Sequence, residues 1–185
     1  MEWLDIVDEN GEPTGKTVER SEAHAKGIRH RTAHVWLLRR RENGWEILLQ
    51  RRSLQKASFP GCYDISSAGH IPAGRGYRES AVRELYEELG VTAREEELLF
   101  CGDREVVHDA VFFGKPFCDR QHSRVFCLPL DREESDFTLQ TEEVDSVLWM
   151  PLSACRAAVQ GNTLPHCIAL SELAMVEQAV IRYHL

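Results

Sequence analysis

The segment that most constrains this chain is Gly69-His70-Ile71-Pro72-Ala73-Gly74-Arg75-Gly76-Tyr77-Arg78-Glu79-Ser80-Ala81-Val82-Arg83-Glu84-Leu85-Tyr86-Glu87-Glu88-Leu89-Gly90-Val91. Its glycine-rich entry lets backbone approach a ligand closely. A helix is expected from about Tyr77 to Leu89, with Gly90 at the position where a terminating glycine is favoured. With Glu84 at zero on a wheel of about 100° per residue, Glu87 falls near about −60° and Glu88 near about +40°. Ala81, Leu85 and Leu89 fall between about +60° and +140°, an apolar face that can bury against a sheet. The helix therefore carries a core face beside a face crowded with acid.

Like charges at i,i+3 and i,i+4 cost roughly 0.2–0.5 kcal/mol per pair, and more where they are desolvated. A hard divalent cation removes that penalty, because magnesium takes carboxylate, water and phosphate oxygens as ligands. An acidic cluster by itself is most often solvated surface. The pattern that surrounds it reverses those odds.

The rest of the chain sets the frame. At 185 residues it is read as one domain, 1–185, with 43% apolar and 28% charged residues in the ordinary globular range. The net charge of −8 argues against a general nucleic-acid binder, whose affinity rests on neutralising phosphates. The acidic start, MEWLDIVDENG, lacks the basic and apolar regions of a signal peptide, and no apolar run is long enough for a membrane span. Six cysteines without a CxxC pair read as free thiols, so a reducing cytoplasmic location is expected.

Strands are expected at Leu4–Val7 and Lys16–Val18, a hairpin within about residues 1–20, and again at Thr32–Leu38 and Trp45–Gln50. Further strands are read at Leu98–Val107, Val111–Phe113, Ser123–Leu130 and Val144–Met150. A short helix is read at Ser21–Gly27, and two helices close the chain within about residues 152–183, at Leu152–Val159 and about His166–Tyr183. Strands interleaved with helices give an α/β class, an α/β/α sandwich with a mixed β-sheet.

The segment 69–91 resembles the box of the Nudix family: Gly, five residues, Glu, seven residues, Arg-Glu, an aliphatic, any residue, Glu-Glu, any residue, Gly, an aliphatic. Gly69, Arg83-Glu84-Leu85, Glu87-Glu88, Gly90 and Val91 match in register. The flanks, EWLDIVDENG, residues 30–36, Leu49-Gln50-Arg51-Arg52, Phe59-Pro60-Gly61 and Glu142–Trp149, resemble the branch related to isopentenyl-diphosphate isomerase. The resemblance implies an α/β/α sandwich and hydrolysis, by water attacking phosphorus, of a diphosphate that links a nucleoside to another group. It implies a magnesium ion, or manganese, held by Glu84, Glu87, Glu88 and the main chain of Gly69, with Arg83 orienting the carboxylates. Arg51, Arg52 and Lys56 are candidate phosphate contacts, or else a solvated basic patch. The partner is thus a small-molecule diphosphate, and a homodimer is a possible assembly.

Three positions depart from the pattern. The first box glutamate is Arg75, which removes a brace from Arg83; Glu79, one turn before Arg83, is the expected substitute. Gln121 stands where relatives carry a glutamate, which leaves the base open among Glu84, Glu142 and Glu143. Ala68 stands where the isomerase carries its cysteine, so isomerase activity is not expected. Arg75 and Gln121 together motivate the alternative of a Nudix-fold binding module without turnover. Histidines 24, 30, 34 and 70 are read as hydrogen-bonding groups in preference to a metal site.

Overall fold

A computed structural model describes all 185 residues. A hairpin of β1 (Trp3–Val7) and β2 (Pro13–Glu19) leads into α1 (Arg20–Lys26), then the long strands β3 (His30–Arg41) and β4 (Gly44–Arg52). The short β5 (Tyr63–Asp64) and β6 (Ser67–His70) precede α2 (Tyr77–Leu89). A second long hairpin, β7 (Leu99–Phe112) and β8 (Lys115–Pro129), is followed by β9 (Val144–Pro151), α3 (Leu152–Gly161) and α4 (Leu170–Arg182). The first hairpin turns where Asp8 Oδ1 accepts hydrogen bonds from the amides of Asn10 and Glu12.

The main sheet has seven strands and is mixed. Its path runs β5-β4-β3-β8-β7, with β6 on β3 and β9 on β4. β3 and β8 run parallel, pairing His30 with Gln121 through Leu38 with Pro129; the other pairings are antiparallel.

Alternation along β3 builds both cores, because successive side chains leave opposite faces of a strand. Ala33, Val35 and Leu37 pack with Leu48, Ala81, Leu85, Leu89 and Phe126 under α2. Trp36 and Leu38 pack with Ile47, Leu49, Cys155, Leu173 and Val176 under α3 and α4. The result is the expected three-layer α/β/α arrangement with a mixed sheet.

Three element boundaries differ from the sequence reading. The segments 98–107 and 111–113 are one strand, and β8 begins at Lys115, eight residues before Ser123. There the hairpin leaves the core, so the apolar rhythm that marks a half-buried strand is lost while the pairing continues to Phe112 and Lys115. The turn at Phe113-Gly114 has both residues at positive φ, the backbone twist suited to a two-residue hairpin loop. The last helix starts at Leu170, not His166, because Pro165 and Cys167 exchange backbone hydrogen bonds with Tyr63 across a parallel bridge.

Leu85 is fully buried between α2 and the sheet. Leu85→Ala is expected to cost about 2–5 kcal/mol in urea unfolding, since a cavity adds to the lost transfer energy. A cost under ~1 kcal/mol would mean that α2 is not packed as described.

Candidate active site

The acidic face of α2 forms because the helix docks Ala81, Leu85 and Leu89 into the core and turns Glu84 and Glu88 toward β6. Gly69 on β6 meets Glu84 so closely that a methyl group there would lie 2.1 Å from Glu84 Cδ. No side chain larger than hydrogen fits without displacing the carboxylate. Glu88 is 5% exposed, and its Oε2 has no hydrogen-bond partner. Glu87 is exposed at the rim of the same face.

Arg83 lies along these carboxylates. Its Nη2 donates to Glu84 Oε1 at 2.6 Å and sits 3.5 Å from the His70 carbonyl, while Nη1 is 3.5 Å from Glu87 Oε2. Burial pushes the Glu84 carboxyl up from 4.5 to about 7 despite Arg83, with Glu87 adding repulsion. Burial pushes Glu88 further, to about 8. Two carboxyls drawn from water, one oxygen left without a donor, and a glycine that clears the space beside them make a donor set suited to a hard cation. Glu84, Glu87, Glu88 and the Gly69 carbonyl would hold it.

Arg75 and Glu79 differ from expectation. Arg75 points to solvent and pairs with Glu79 at 2.7 Å, so Glu79 neutralises Arg75 and does not brace Arg83. Arg83 is held by Glu84 and Glu87 themselves. The repulsion expected from Arg75 is thereby absorbed one turn away.

A cavity of about 1250 Å³ opens beside this face. Gly69 is on its wall, together with Arg52, Lys56, Glu142, Glu143 and Gln121; the three box glutamates are not, and Glu84 lies behind Gly69. Arg52 is tied down, donating to Asp64 at 2.9 Å and to the Ser58 carbonyl. Lys56 is paired with Glu143. Arg51 does not fit the role read for it. It is exposed on the opposite side of β4, within 3.5 Å of Asp145 and the Gly61 carbonyl, and is absent from the cavity wall.

Gln121 spends its amide on neighbours, accepting from Thr32 Oγ1 at 3.2 Å and donating to Asp119 Oδ2 at 2.8 Å.

Sequence reasoning missed a second buried acid. Glu172 of α4 is 1% exposed and accepts from His34 Nδ1, Trp36 Nε1 and Arg104, the last at 2.6 Å. Burial alone would raise its carboxyl, but His34 and Arg104 hold it down at about 2. The signal was faint: one acid at helical spacing inside an otherwise apolar face.

With this geometry in place, comparison with known proteins gives the class. Residues 28–167 match the NUDIX domain model. The chain is 41% identical over 159 residues to Nudix hydrolase 3 of Arabidopsis thaliana, covering 84% of this chain and 20% of that protein. It is 36% identical over 143 residues to an uncharacterized Nudix hydrolase of Clostridium acetobutylicum, covering 77% and 66%. This chain thus spans a fifth of the first relative and about two thirds of the second. A third, from Pseudomonas aeruginosa, is 30% identical over 169 residues, covering 90% and 87%. The chain belongs to the NUDIX family.

Solved structures agree on the fold. A Deinococcus radiodurans protein superposes with a TM-score of 0.67 at 19% identity, covering 95% of this chain and 98% of that one. The NUDIX domain of Shewanella oneidensis NrtR, complexed with ADP ribose, gives 0.57 at 16% identity, covering 90% and 99%. A Caenorhabditis elegans Ap4A hydrolase gives 0.56 at 20%, covering 82% and 98%. No helix is long and apolar enough to cross a membrane.

The raised carboxyls set a pH dependence. Their folded-state values lie above the ordinary 4.5, so their contribution to stability is fully present below that pH and is lost as pH rises through about 7 and about 8. In chelator, Tm is expected to fall by several degrees between pH 5 and 8.5, each kcal/mol being worth about 2–4 °C at this size. Glu88→Gln should flatten that slope in differential scanning fluorimetry. An unchanged slope in the variant would contradict the burial assigned to Glu88.

Proposed function

We propose that this domain hydrolyses a diphosphate linkage in a small molecule, a nucleoside diphosphate joined to another group, with magnesium as its ion and manganese as a substitute. The observation that carries the reading is the pair of half-buried Glu84, packed against Gly69, and buried Glu88, whose Oε2 is unpartnered. Support for the substrate class comes from relatives named Nudix hydrolases and from folds solved as an Ap4A hydrolase and with ADP ribose bound.

When bound, the ion would polarise a phosphoryl oxygen and lower the pKa of its water, easing attack on phosphorus in an anionic diphosphate. The chain's own residues do the rest. Arg83 fixes the rotamer of Glu84 through a 2.6 Å charge-assisted hydrogen bond. Gly69, on the cavity wall, lets its backbone touch the Glu84 carboxylate behind it. Lys56 and Arg52, each already paired with an acid, place donors beside the space a diphosphate would enter without making it strongly cationic. Gln121 cannot accept the water's proton, so that proton goes to Glu84, Glu142 or Glu143, of which Glu142 and Glu143 line the cavity. The reading as a binding module without turnover now rests on Gln121 alone, since Arg75 is neutralised by Glu79.

The combined substitution Glu87→Gln and Glu88→Gln tests this. Metal-dependent release of nucleotide from a panel of nucleoside diphosphate derivatives should fall by at least ~10²-fold, the scale of losing an electrostatic contact to the transition state. Full activity in the double variant, or no turnover by the native protein across the panel, would overturn the assignment.

A further inference from the structure

The β7–β8 hairpin continues past the core, yet its two faces are not equally open to water. Along β7, Val107, Asp109 and Val111 are exposed, whereas His108, Ala110 and Phe112 are half-buried. The register sets His108 opposite Asp119 and Ala110 opposite Phe117, so these side chains share the second face. Part of the cover on that face is Phe59, from the loop 53–62 between β4 and β5. Its ring centroid lies 5.3 Å from that of His108 and 5.0 Å from that of Phe112. Phe112 is in turn 5.5 Å from Phe117.

The loop that presents Phe59 is held in place. Arg52 donates to the Ser58 carbonyl from Nε at 3.2 Å and from Nη2 at 3.0 Å, while Asp64 fixes its Nη1 at 2.9 Å. The Cys62 amide donates to the Phe59 carbonyl at 3.3 Å and closes the turn. Phe59 itself has φ 49°, a left-handed backbone that is uncommon for a bulky residue and persists only where its surroundings enforce it.

Phe59, His108, Phe112 and Phe117 line the same cavity as Gly69, Arg52 and Lys56, and none of the four belongs to either main hydrophobic core. Phe59 meets Phe112 at an interplanar angle of 66°, and Phe112 meets Phe117 at 77°. In an edge-to-face pair one ring spends only its edge, which leaves its faces for a further ring. His108 Nε2 is shielded from water and has no hydrogen-bond partner. A wall of flat rings with one unspent polar atom complements a flat ligand that carries polar atoms on its edge. An aliphatic chain would leave that nitrogen unpaired.

We infer that Phe59, His108, Phe112 and Phe117 form a subsite for the heteroaromatic base of the substrate, stacked on the phenyl rings and hydrogen-bonded at its edge to His108 Nε2. The inference rests on the proposed hydrolysis of a nucleoside diphosphate joined to another group, and it assigns recognition of the nucleoside to the hairpin arm and the loop. Stacking accepts any base, because every base has a π-face. Discrimination among bases therefore falls to the polar contact at His108. Arg52 couples the two parts of the cavity, since it lies on the wall and also carries Ser58, the residue before Phe59.

Calorimetric titration in chelator separates base recognition from turnover. The probes are ADP, GDP, CDP and UDP, with inorganic pyrophosphate and ribose 5-phosphate as ligands that lack a base. At least one nucleotide is expected to bind ~10-fold or more tighter than either. Phe59→Leu and Phe112→Leu keep apolar volume and remove a flat ring. Each should weaken that nucleotide at least ~5-fold, the scale of one lost stacking contact, and leave pyrophosphate unchanged. His108→Phe, a ring without the nitrogen, should weaken it too. Both phenylalanines lie outside the main cores, so either variant serves if the other fails to fold. Nucleotide binding that depends on these rings, in a protein that turns over no diphosphate, would remove the hydrolysis and keep the subsite. Nucleotide affinity indifferent to both leucine variants, no preference for a nucleotide over pyrophosphate, or tighter binding of an alkyl diphosphate than of any nucleotide would overturn the inference.

Discussion

Two carboxyl groups drawn out of water beside a bare glycine set the terms for the rest of this molecule. Desolvation favours the protonated form of Glu84 and Glu88, and repulsion from Glu87 adds to it at Glu84 and from Glu84 at Glu88. A helix surface of this kind is a poor way to stabilise a metal-free fold. It persists because Leu85, Leu89 and Ala81 anchor α2 from the adjoining face, fully buried, and because Arg83 offsets part of the repulsion. The site is thus held by packing that it does not itself supply. Such a balance is common where polar function sits on a rigid scaffold.

Strand β3 distributes the chemistry. One face of it, through Ala33, Val35 and Leu37, supports the helix that carries the glutamates. The other face carries Thr32, His34 and Trp36 toward the cavity and Glu172. Because the period of a strand is two, a slip of one residue would exchange the two faces. The parallel ladder from His30 to Leu38 against β8, together with the antiparallel ladder to β6, fixes that register from both sides. Glu172 locks the cavity floor to α4, since a buried carboxylate that loses any one of its donors becomes costly.

Much of this was legible in the chain. The 3.6-residue period of Ala81, Leu85 and Leu89 beside three acids gave the helix, its buried side and the glutamate cluster, and Gly90 gave its end. The sandwich followed from the alternation of strand and helix patterns. What was not legible depended on contacts between distant residues. The partner of Glu79 could not be chosen from spacing, because Arg75 and Arg83 both lie four residues from it and only the turn before α2 decides between them. Arg51 and Arg52 are consecutive, so one must face away from the cavity, and nothing in Arg-Arg says which. The convergence of His24 with His30 and His70 appears only once α1 is packed on β8, and that of Phe59 with His108 and Phe112 only once the loop after β4 is in place. The β7–β8 arm was underestimated for a different reason. Periodicity reports burial, and that arm continues its hydrogen-bonded ladder after burial ends.

On the metal-binding proposal, the acidic face of α2 holds protons until a hard cation replaces them. Calorimetric titration of magnesium at pH 7, in two buffers of different ionisation enthalpy, counts the protons released on binding. With Glu84 near 7 and Glu88 near 8, release of ~1–2 protons per ion is expected, falling toward zero above about pH 9. Magnesium that binds at pH 7 without releasing protons, or does not bind at all, would contradict the account.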